Sequence, residues 1–351
     1  MRSMFISSTI FEPDMSPVLV NVSTAACTPF PALLCEGRVM ALAQWRASGL
    51  RGTSSVAEFL NDWECNADRL KQVVRSEGTQ TLIAEKGVEL AAFRIHEPIA
   101  PRQVYCTIGN YSEQVVQAAL DAHGAADAPL RREAVLASIE TRRRVGTPYI
   151  CVKGTAAVSA PFDPLPVEAG MSTLDWEVEI GVVIGRRACN VDVARALDYV
   201  AGYCVVNDIT LRDRVVRTDV PVLGTDWLQS KSRAGWLPAG PWLVPAWDIE
   251  APSALRPWLR LNGALMQDGQ AGDMIFSIAE QIAYLSAHTS LQPGDLICTG
   301  TPAGIGSHHG RYLRAGDVLE AGVSGLGMQR IVCVEAVGGG SDVGAGRGEE
   351  R

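Results

Sequence analysis

Apolar positions recur at helical spacing in two stretches of the first half of the chain. In residues 55–77, with Ser54 or Ser55 as the N-cap, they define one helical face: Val56, Phe59, Leu60, Trp63, Leu70, Val73 and Val74. Residues 111–144 are mostly helix-forming and end in a basic run at 142–144, which the helix dipole favours at a C-terminus. The spacing predicts an amphipathic helix over 55–77 and helical structure over most of 111–144.

From residue 148 onward, short apolar runs punctuated by Gly and Pro replace the helical spacing. Runs such as PYICVKG, AGYCVVNDIT and DLICTGTPAGIG are typical of strands and turns. Two helices are predicted to interrupt them, at about 191–200 and about 274–288, the second with an apolar face of Ile275, Ile278, Ile282 and Leu285. The pattern therefore predicts an α+β, β-rich fold.

The length of 351 residues suggests two domains, because single domains usually hold about 100–200 residues. We expect a variable accessory region over 1–98 and a β-rich catalytic domain over 99–337. The tail over 338–351 is Gly-rich and polar, which predicts disorder.

Composition and charge narrow the range of partners. The net charge of −8 argues against nucleic acid, whose phosphates need clustered Lys and Arg, but allows a small anionic substrate. There is no run of about 18 apolar residues to span a membrane and no apolar signal-peptide stretch, so we expect a cytoplasmic protein. The nine cysteines contain no C-x-x-C pair, so we expect them to be reduced, buried apolar residues.

Carboxylates crowd one stretch that otherwise reads as a buried strand. Over residues 174–184, alternation sends Leu174, Trp176, Val178 and Ile180 to the core, and to the other face Asp175, Glu177, Glu179 and Gly181. Like charges at that spacing repel and are costly to desolvate, and a hard divalent cation would remove the cost. The alternative is a solvated face. A third carboxylate, Asp208, ends the apolar run AGYCVVN and favours the metal site.

A set of motifs follows in a specific order: LDWEVEIGVVIG (174–185), DYVAGYCVVNDITLRD (198–213), WLQSKS (227–232), GPWLVP (240–245), LNGALMQ (261–267), PGDLICTGTPAGIG (293–306) and GDV (316–318). In this order and spacing the chain resembles the fumarylacetoacetate hydrolase family, over roughly residues 104–335. Residues 1–98 fit only as a variable N-terminal region.

The resemblance implies a mixed β-roll or barrel like the family's C-terminal domain, usually in a homodimer. It implies one divalent metal, Mg²⁺ or Mn²⁺ with Ca²⁺ as an alternative, held by Glu177, Glu179 and Asp208. It also implies a small oxo-acid substrate, often an acylpyruvate or a diketo acid, in the catabolism of aromatic compounds.

The resemblance suggests roles for residues around the metal. Lys231, in the run KS, is expected to bind a substrate carboxylate or to stabilise developing negative charge; a lone loop lysine would otherwise be solvated. Arg212 is expected either to bind substrate or to brace the carboxylates. Thr301 is expected to line the substrate pocket, unless its turn is only conformational, and Lys153 and Tyr111 are further substrate contacts.

Several residues depart from the family pattern. Many members carry N-Y-x-x-H-x-x-E on a lid, and its His and Glu act as a dyad that activates the attacking water. Here those positions hold Gln114 and Gln117, and an amide is not a general base at neutral pH. Gln114 remains the residue at the catalytic position. Arg233, in place of the Phe of K-S-F, adds a cation that would enlarge or retarget the anion site.

Other histidines are weaker substitutes for the missing base. His123 follows the lid stretch, and His308 and His309 follow the turn TGTPAGIG, near the expected rim of the pocket. For each of them, an exposed loop residue is the favoured interpretation.

Three functions remain open. The first is metal-dependent hydrolysis of a C–C bond in an acylpyruvate or related diketo acid. The second keeps the metal without water activation: decarboxylation, tautomerisation, isomerisation or hydration of a 2-oxo acid. The third is a non-catalytic metal-binding module, against which the joint presence of Glu177, Glu179, Asp208 and Lys231 argues.

Overall fold

The structure, a computed structural model, describes residues 17–123 and 127–336. The tail predicted to be disordered, 338–351, lies outside the described residues.

Residues 18–96 form a sheet of their own. Its strands are β1 (Val18–Ser23), β2 (Phe30–Cys35), β3 (Arg38–Ala41), β4 (Val88–Glu89) and β5 (Arg94–His96), in the order β4-β3-β2-β1-β5. Three helices lie between β3 and β4: α1 (Val56–Asn61), α2 (Trp63–Arg75) and α3 (Glu77–Lys86). Backbone hydrogen bonds of 3.1 and 2.9 Å between Leu19 and Leu243 join this sheet to the rest of the chain. The division at residue 98 stays a prediction.

The helix predicted over 55–77 is in fact two helices. Ser55 caps α1 as predicted, since its side chain accepts a hydrogen bond from the Glu58 amide at 3.2 Å. Asp62, with φ −92° and ψ 12°, ends α1 and precedes α2, so a local backbone break interrupts the helical spacing. All seven apolar positions of the pattern are buried, so the pattern identified the core-facing side but missed the break. The stretch 111–144 likewise holds two helices, α4 (Ser112–His123) and α5 (Ala128–Val145).

The remaining strands are β6 (Val104–Thr107), β7 (Ile150–Lys153), β8 (Val158–Ser159), β9 (Leu165–Val167), β10 (Leu174–Asp175), β11 (Val178–Ile184), β12 (Val200–Asn207), β13 (Thr210–Leu211), β14 (Leu237–Pro238), β15 (Val244–Pro245), β16 (Pro257–Leu261), β17 (Ala264–Asp268), β18 (Leu296–Cys298), β19 (Val318–Val323) and β20 (Gly327–Glu335). A central sheet has the order β15-β12-β11-β18-β6-β7, in which β18 and β6 are parallel and the other neighbours antiparallel. A second sheet has the order β17-β16-β19-β20-β9. This content confirms the predicted α+β, β-rich class.

The strand predicted over 174–184 is interrupted, and the prediction of one continuous strand is wrong. It forms as β10 and β11, with Trp176 and Glu177 outside both. The Trp176 amide donates to Oδ1 of Asp175 at 2.8 Å, and the Glu177 amide donates to Oδ1 of Asn207 at 2.9 Å. These side-chain oxygens accept the hydrogen bonds that backbone carbonyls of a neighbouring strand would otherwise accept. The β-ladder is therefore interrupted at Trp176 and Glu177. Every residue of the stretch is buried, which excludes the solvated face.

The helices predicted in the β-rich part also differ in detail. The one expected at 191–200 is a 3-10 helix, Val193–Tyr199, and the one expected at 274–288 is α7 (Ile278–His288), after the short α6 (Trp227–Lys231). Because Ser277 forms a capping box with Glu280, α7 starts there, and Ile275 lies outside it. The other 3-10 helices are Leu42–Ser48, Leu90–Ala92, Thr155–Ala157, Arg212–Arg214, Pro221–Leu223, Ala246–Asp248, Pro252–Ala254, Ala271–Asp273 and Gly306–His309.

The cysteines are all free thiols, as expected, but only five of the nine are buried. Cys27, Cys65 and Cys189 are exposed and Cys35 is half-buried, so the expectation of burial fails for them. None of the helices in 17–123 and 127–336 has the length and apolar character needed to cross a membrane.

Candidate active site

Three carboxylates meet beside the central sheet. Glu177 lies in the break between β10 and β11, Glu179 lies on β11, and Asp208 follows β12 directly. β11 and β12 are antiparallel neighbours, and the Asp208 amide donates to the Glu177 carbonyl at 2.8 Å. This register brings one oxygen of each carboxylate within 4.8 Å of the others, and all three residues are buried. The structure therefore brings together the three residues predicted to hold the metal.

Lys231, at the end of α6, is buried against two of these carboxylates. Its ammonium donates to Oε2 of Glu177 at 2.9 Å, Oδ2 of Asp208 at 2.6 Å and Oγ1 of Thr210 at 2.7 Å. An ammonium has three donors, so in this arrangement all of them are used within the protein. Lys231 here braces the carboxylates rather than presenting a free donor to a substrate.

Lys153, the last residue of β7, reaches the same cluster from the other side of Asp208. It donates to Oδ1 of Asp208 at 2.6 Å and to the carbonyls of Ile209 at 3.1 Å and Trp236 at 2.7 Å. Its side chain is 0% exposed, and its three donors are also used. Lys153 therefore reaches the site, as the sequence suggested, and there it supports Asp208.

Arg212 joins the cluster to a fourth carboxylate. Its Nη1 pairs with Oε1 of Glu177 at 2.5 Å, and its Nε donates to Oδ2 of Asp175 at 2.8 Å. Its Nη2 is buried and has no hydrogen-bond partner among the described residues. Arg212 thus braces Glu177 and still has one buried donor for an anion.

The charges of the cluster are unevenly balanced. Burial raises the pKa of Glu179 well above its ordinary value, and the neighbouring Asp208 and Glu177 raise it further. Burial also acts to raise the pKa of Asp208, but Lys153 and Lys231 more than offset it and hold that pKa at about 2. The ammonium of Lys231 stays charged, because Asp208 and Glu177 raise its pKa against the effect of burial.

The residues fit a hard divalent cation. Each ligand offers a carboxylate oxygen, which is the donor that Mg²⁺, Mn²⁺ and Ca²⁺ prefer. Among the described residues Glu179 has no cationic partner, and its Oε2 accepts only the Gly300 amide at 2.8 Å. A bound cation would compensate that carboxylate and remove the repulsion that raises its pKa.

The loop after β18 contacts the cluster at Glu179. The Gly300 amide reaches Glu179 because the backbone there adopts φ 93°, and a Cβ at this position would lie 2.8 Å from Cβ of Asn110. The Thr301 hydroxyl donates to the Val178 carbonyl at 2.8 Å. Thr301, predicted to line the substrate pocket, therefore holds the loop against β11.

Two buried amides that the sequence did not single out fix this loop. Gln267 donates to Oγ1 of Thr301 at 2.8 Å and accepts from the Val178 amide at 3.1 Å. Asn110 donates to the Thr299 carbonyl at 2.9 Å and to the Phe276 carbonyl at 3.0 Å. Gln267 ends the motif LNGALMQ and Asn110 begins NYSEQ, so their places within motifs were the available signal.

The remaining residues that were predicted to contact the substrate or to act in catalysis differ in how deeply they are buried. The Tyr111 hydroxyl is buried without a hydrogen-bond partner among the described residues, and burial, Glu179 and Asp273 raise its pKa well above the ordinary value. Gln114 is half-buried on α4. Arg233 is 47% exposed and pairs with Glu168 rather than with one of the three carboxylates.

Comparison with protein families identifies the same part of the chain. The model for the fumarylacetoacetate (FAA) hydrolase C-terminal region matches residues 103–333. A stretch of 185 residues, 52% of the chain, is 43% identical to a Burkholderia multivorans protein provisionally named a hydrolase. The matched stretch is 64% of that relative's length, so less than two thirds of it is matched.

Solved structures agree over most of the chain. A Mycobacterium abscessus protein, provisionally described as a 2-hydroxyhepta-2,4-diene-1,7-dioate isomerase, is 28% identical with a TM-score of 0.65, covering 92% of this chain and 100% of that one. Maleylpyruvate hydrolase from Sphingobium sp. SYK-6, solved with manganese(II) and pyruvate, is 19% identical with a TM-score of 0.66, covering 91% and 100%. The latter likeness shows the fold alone. The fold implied by the sequence motifs is confirmed.

Proposed function

We propose a function on the premise that the chain belongs to the fumarylacetoacetate hydrolase family, an enzyme family with hydrolases and isomerases among its members. We infer that this protein hydrolyses a C–C bond in an acylpyruvate or related diketo acid and uses one divalent metal ion. The observation that carries the proposal is the buried set of Glu177, Glu179 and Asp208. Two buried donors without a hydrogen-bond partner among the described residues, Nη2 of Arg212 and the Tyr111 hydroxyl, also support it.

The chain's own residues provide for an anionic substrate. When bound, Mg²⁺ or Mn²⁺ supplies a Lewis acid that polarises a ketone and stabilises enolate charge. The Nη2 of Arg212, which makes no hydrogen bond within residues 17–123 and 127–336, suits a substrate carboxylate, because guanidinium–carboxylate hydrogen bonds are charge-assisted. The Tyr111 hydroxyl keeps its proton, since its pKa is raised, and can donate it to a substrate oxygen. Lys153 and Lys231 hold the carboxylates in position.

A second candidate is isomerisation or decarboxylation of a 2-oxo acid. It is favoured by Gln114 and Gln117, which cannot act as the water-activating dyad of other members. The relative described as an isomerase, 28% identical over most of the chain, also supports it. Both candidates use the same carboxylates, so they differ only in whether water is activated.

The deciding experiment is a substrate panel with product identification. Metal-depleted protein, reloaded with Mg²⁺ or Mn²⁺, is incubated with acylpyruvates, oxaloacetate and diketo acids, and products are identified by mass spectrometry. We expect pyruvate plus a carboxylic acid, which indicates hydrolysis; carbon dioxide or an isomer would indicate the second candidate. Full activity after exhaustive chelation would contradict both.

A pair of variants locates the activity in the cluster. Glu179→Gln removes one of the three charged ligands and should lower kcat/KM at least about 100-fold. Glu250→Gln changes an exposed glutamate by the same chemistry and should leave kcat/KM unchanged. We further propose that the protein works as a homodimer, which sedimentation velocity tests directly.

A further inference from the structure

His308 is buried at the end of the loop that contacts the cluster at Glu179. The loop passes from Gly300, on Glu179, to the 3-10 helix Gly306–His309. The side chain of His308 is 4% exposed, and its Nε2 has no hydrogen-bond partner among the described residues. A buried ring nitrogen left open in this way indicates a place for a ligand or a water molecule.

A short chain of contacts links this turn to the metal ligands. The Ser307 amide, next to His308, donates to Oδ2 of Asp175 at 3.1 Å. That oxygen also accepts from Nε of Arg212 at 2.8 Å, and Arg212 pairs with Glu177 at 2.5 Å. His308 therefore lies at the edge of the site and does not contact a metal ligand itself.

Asp121, on α4, faces the open nitrogen of His308. Its Oδ2 lies 3.9 Å from Nε2, which is too long for a direct hydrogen bond and is a distance that one water molecule can bridge. Gln117, one turn earlier on α4, donates to Oδ1 of Asp121 at 3.1 Å. The side chain of Asp121 is 38% exposed, so water can reach it.

A hydrogen bond to His308 determines which ring nitrogen carries the proton in the neutral form. The Gly304 amide donates to Nδ1 at 3.2 Å, so the neutral ring carries its proton on Nε2, towards Asp121. Burial lowers the pKa of His308, with Arg212 and His309 acting in the same direction and Asp121 and Asp175 against it. The neutral ring is therefore a donor at Nε2, and Asp121 is the acceptor of the pair.

We propose that Asp121 and His308 activate the attacking water, in place of the His and Glu that related proteins carry at positions 114 and 117. Asp121 is the general base, and His308 Nε2–H orients the water between the two groups. Gln117, at the former Glu position, acts as a positioning residue for Asp121. This inference rests on the proposed hydrolysis of an acylpyruvate.

The reaction balances with one water molecule. Asp121 accepts a proton from the water, whose oxygen bonds to the acyl carbonyl carbon. The bond between that carbon and the neighbouring methylene breaks, and its electron pair stays with the pyruvyl fragment as an enolate. Asp121 then returns the proton to the methylene carbon. One acylpyruvate and one water yield a carboxylic acid and pyruvate, without an oxidant or reductant.

The test measures acetylpyruvate hydrolysis by the Mn²⁺-loaded full-length protein over a range of pH. Asp121→Asn should lower kcat about 100-fold or more, because a general base contributes about 10²–10⁴-fold. His308→Gln keeps an N–H donor and should retain more activity than His308→Phe. Matched controls are His309→Gln, the exposed neighbour, and Glu113→Gln, an exposed acid on the same helix.

Two further measurements distinguish a loss of water activation by Asp121 and His308 from a loss of metal binding. Calorimetry should give the same Mn²⁺ affinity for all variants, and ¹⁵N NMR should show the Nε2–H form of His308 in the metal-free protein. If the unaltered protein hydrolyses acetylpyruvate and Asp121→Asn lowers kcat no more than Glu113→Gln does, the proposed role of Asp121 and His308 is wrong. The proposed function then still stands. If the unaltered protein hydrolyses no acylpyruvate, the proposed function fails, and the role of the pair fails with it.

Discussion

At the residue scale, Glu179 is the carboxylate that needs a cation. Glu177 pairs with Lys231 and Arg212, and Asp208 pairs with both buried lysines. Among the described residues, Glu179 accepts only a backbone hydrogen bond, and its pKa is raised by burial and by the other two carboxylates. In the metal-free protein Glu179 therefore holds a proton more readily than an exposed glutamate does.

We expect divalent metal binding to expel this proton. Since the pKa of Glu179 is raised, its carboxyl group is protonated at pH values where an exposed glutamate is ionised. Below that raised pKa the apparent Mn²⁺ affinity should increase about tenfold per pH unit, and above it the affinity should level off. Calorimetry in two buffers of different ionisation enthalpy measures the released proton.

The control for this prediction is the neutral isostere. Glu179→Gln should bind Mn²⁺ more weakly and release no proton from this site, while the exposed Glu250→Gln should behave as the unaltered protein. Proton-free binding by the unaltered protein throughout the pH range in which an exposed glutamate is ionised would show that Glu179 is ionised as well, against this interpretation.

At the element scale, Asp175 connects three pieces of structure at the end of β10. Its Oδ1 accepts from the Trp176 amide at 2.8 Å and from the Gly306 amide at 2.5 Å. Its Oδ2 accepts from the Ser307 amide at 3.1 Å and from Arg212 at 2.8 Å. One buried carboxylate thus holds the break before β11, the turn that carries His308, and the arginine of the site.

Asp175→Asn should be strongly destabilising. Asp175 is 0% exposed, and removing its charge leaves the guanidinium of Arg212 without one of its two partners and places an amide N–H against backbone donors. Breaking a buried pair costs about 3–5 kcal/mol, which guanidinium denaturation measures as a lower free energy of unfolding. The control, Asp198→Asn, breaks an exposed pair with Arg195 and should cost less than about 1 kcal/mol. Equal losses in both variants would contradict the role of Asp175.

At the scale of the whole molecule, the site depends on contacts between distant parts of one core. Buried apolar residues of the N-terminal sheet, the central sheet and the second sheet belong to a single cluster. The predicted metal ligands come from the break before β11, from β11 itself and from the residue after β12, and their supports come from β7, α6 and the loop after β18. Global unfolding therefore destroys the site, and binding at the site must oppose unfolding.

Metal binding should stabilise the folded chain. A ligand that binds only the folded state at about 100 times its Kd adds about 2.7 kcal/mol to the free energy of unfolding. Thermal unfolding followed by circular dichroism should show a higher Tm with Mn²⁺ than with chelator. The double substitution Glu177→Gln with Glu179→Gln should abolish this difference. An unchanged Tm in the unaltered protein at saturating Mn²⁺ would count against the metal site.

The sequence by itself determined the features that depend on neighbouring residues or on the order of the motifs along the chain. The apolar face of 55–77 and the Ser55 cap follow from short-range spacing, and the ordered motifs indicated the family. The motifs also predicted Glu177, Glu179 and Asp208 as metal ligands, and the structure brings these three together. It missed the strand break at Trp176 and Glu177, because the groups that replace the ladder there include the side chain of Asn207, which lies on another strand.

Only the tertiary structure decided how the charges meet. It uses the three donors of Lys231 and of Lys153 within the protein, leaves Nη2 of Arg212 open, and places Asp121 of α4 opposite His308. His308 looked like an exposed loop residue because a sequence shows neighbours along the chain and not those that packing brings across it. Burial and long-range pairing depend on the packed fold, so these features appear only once the elements have come together.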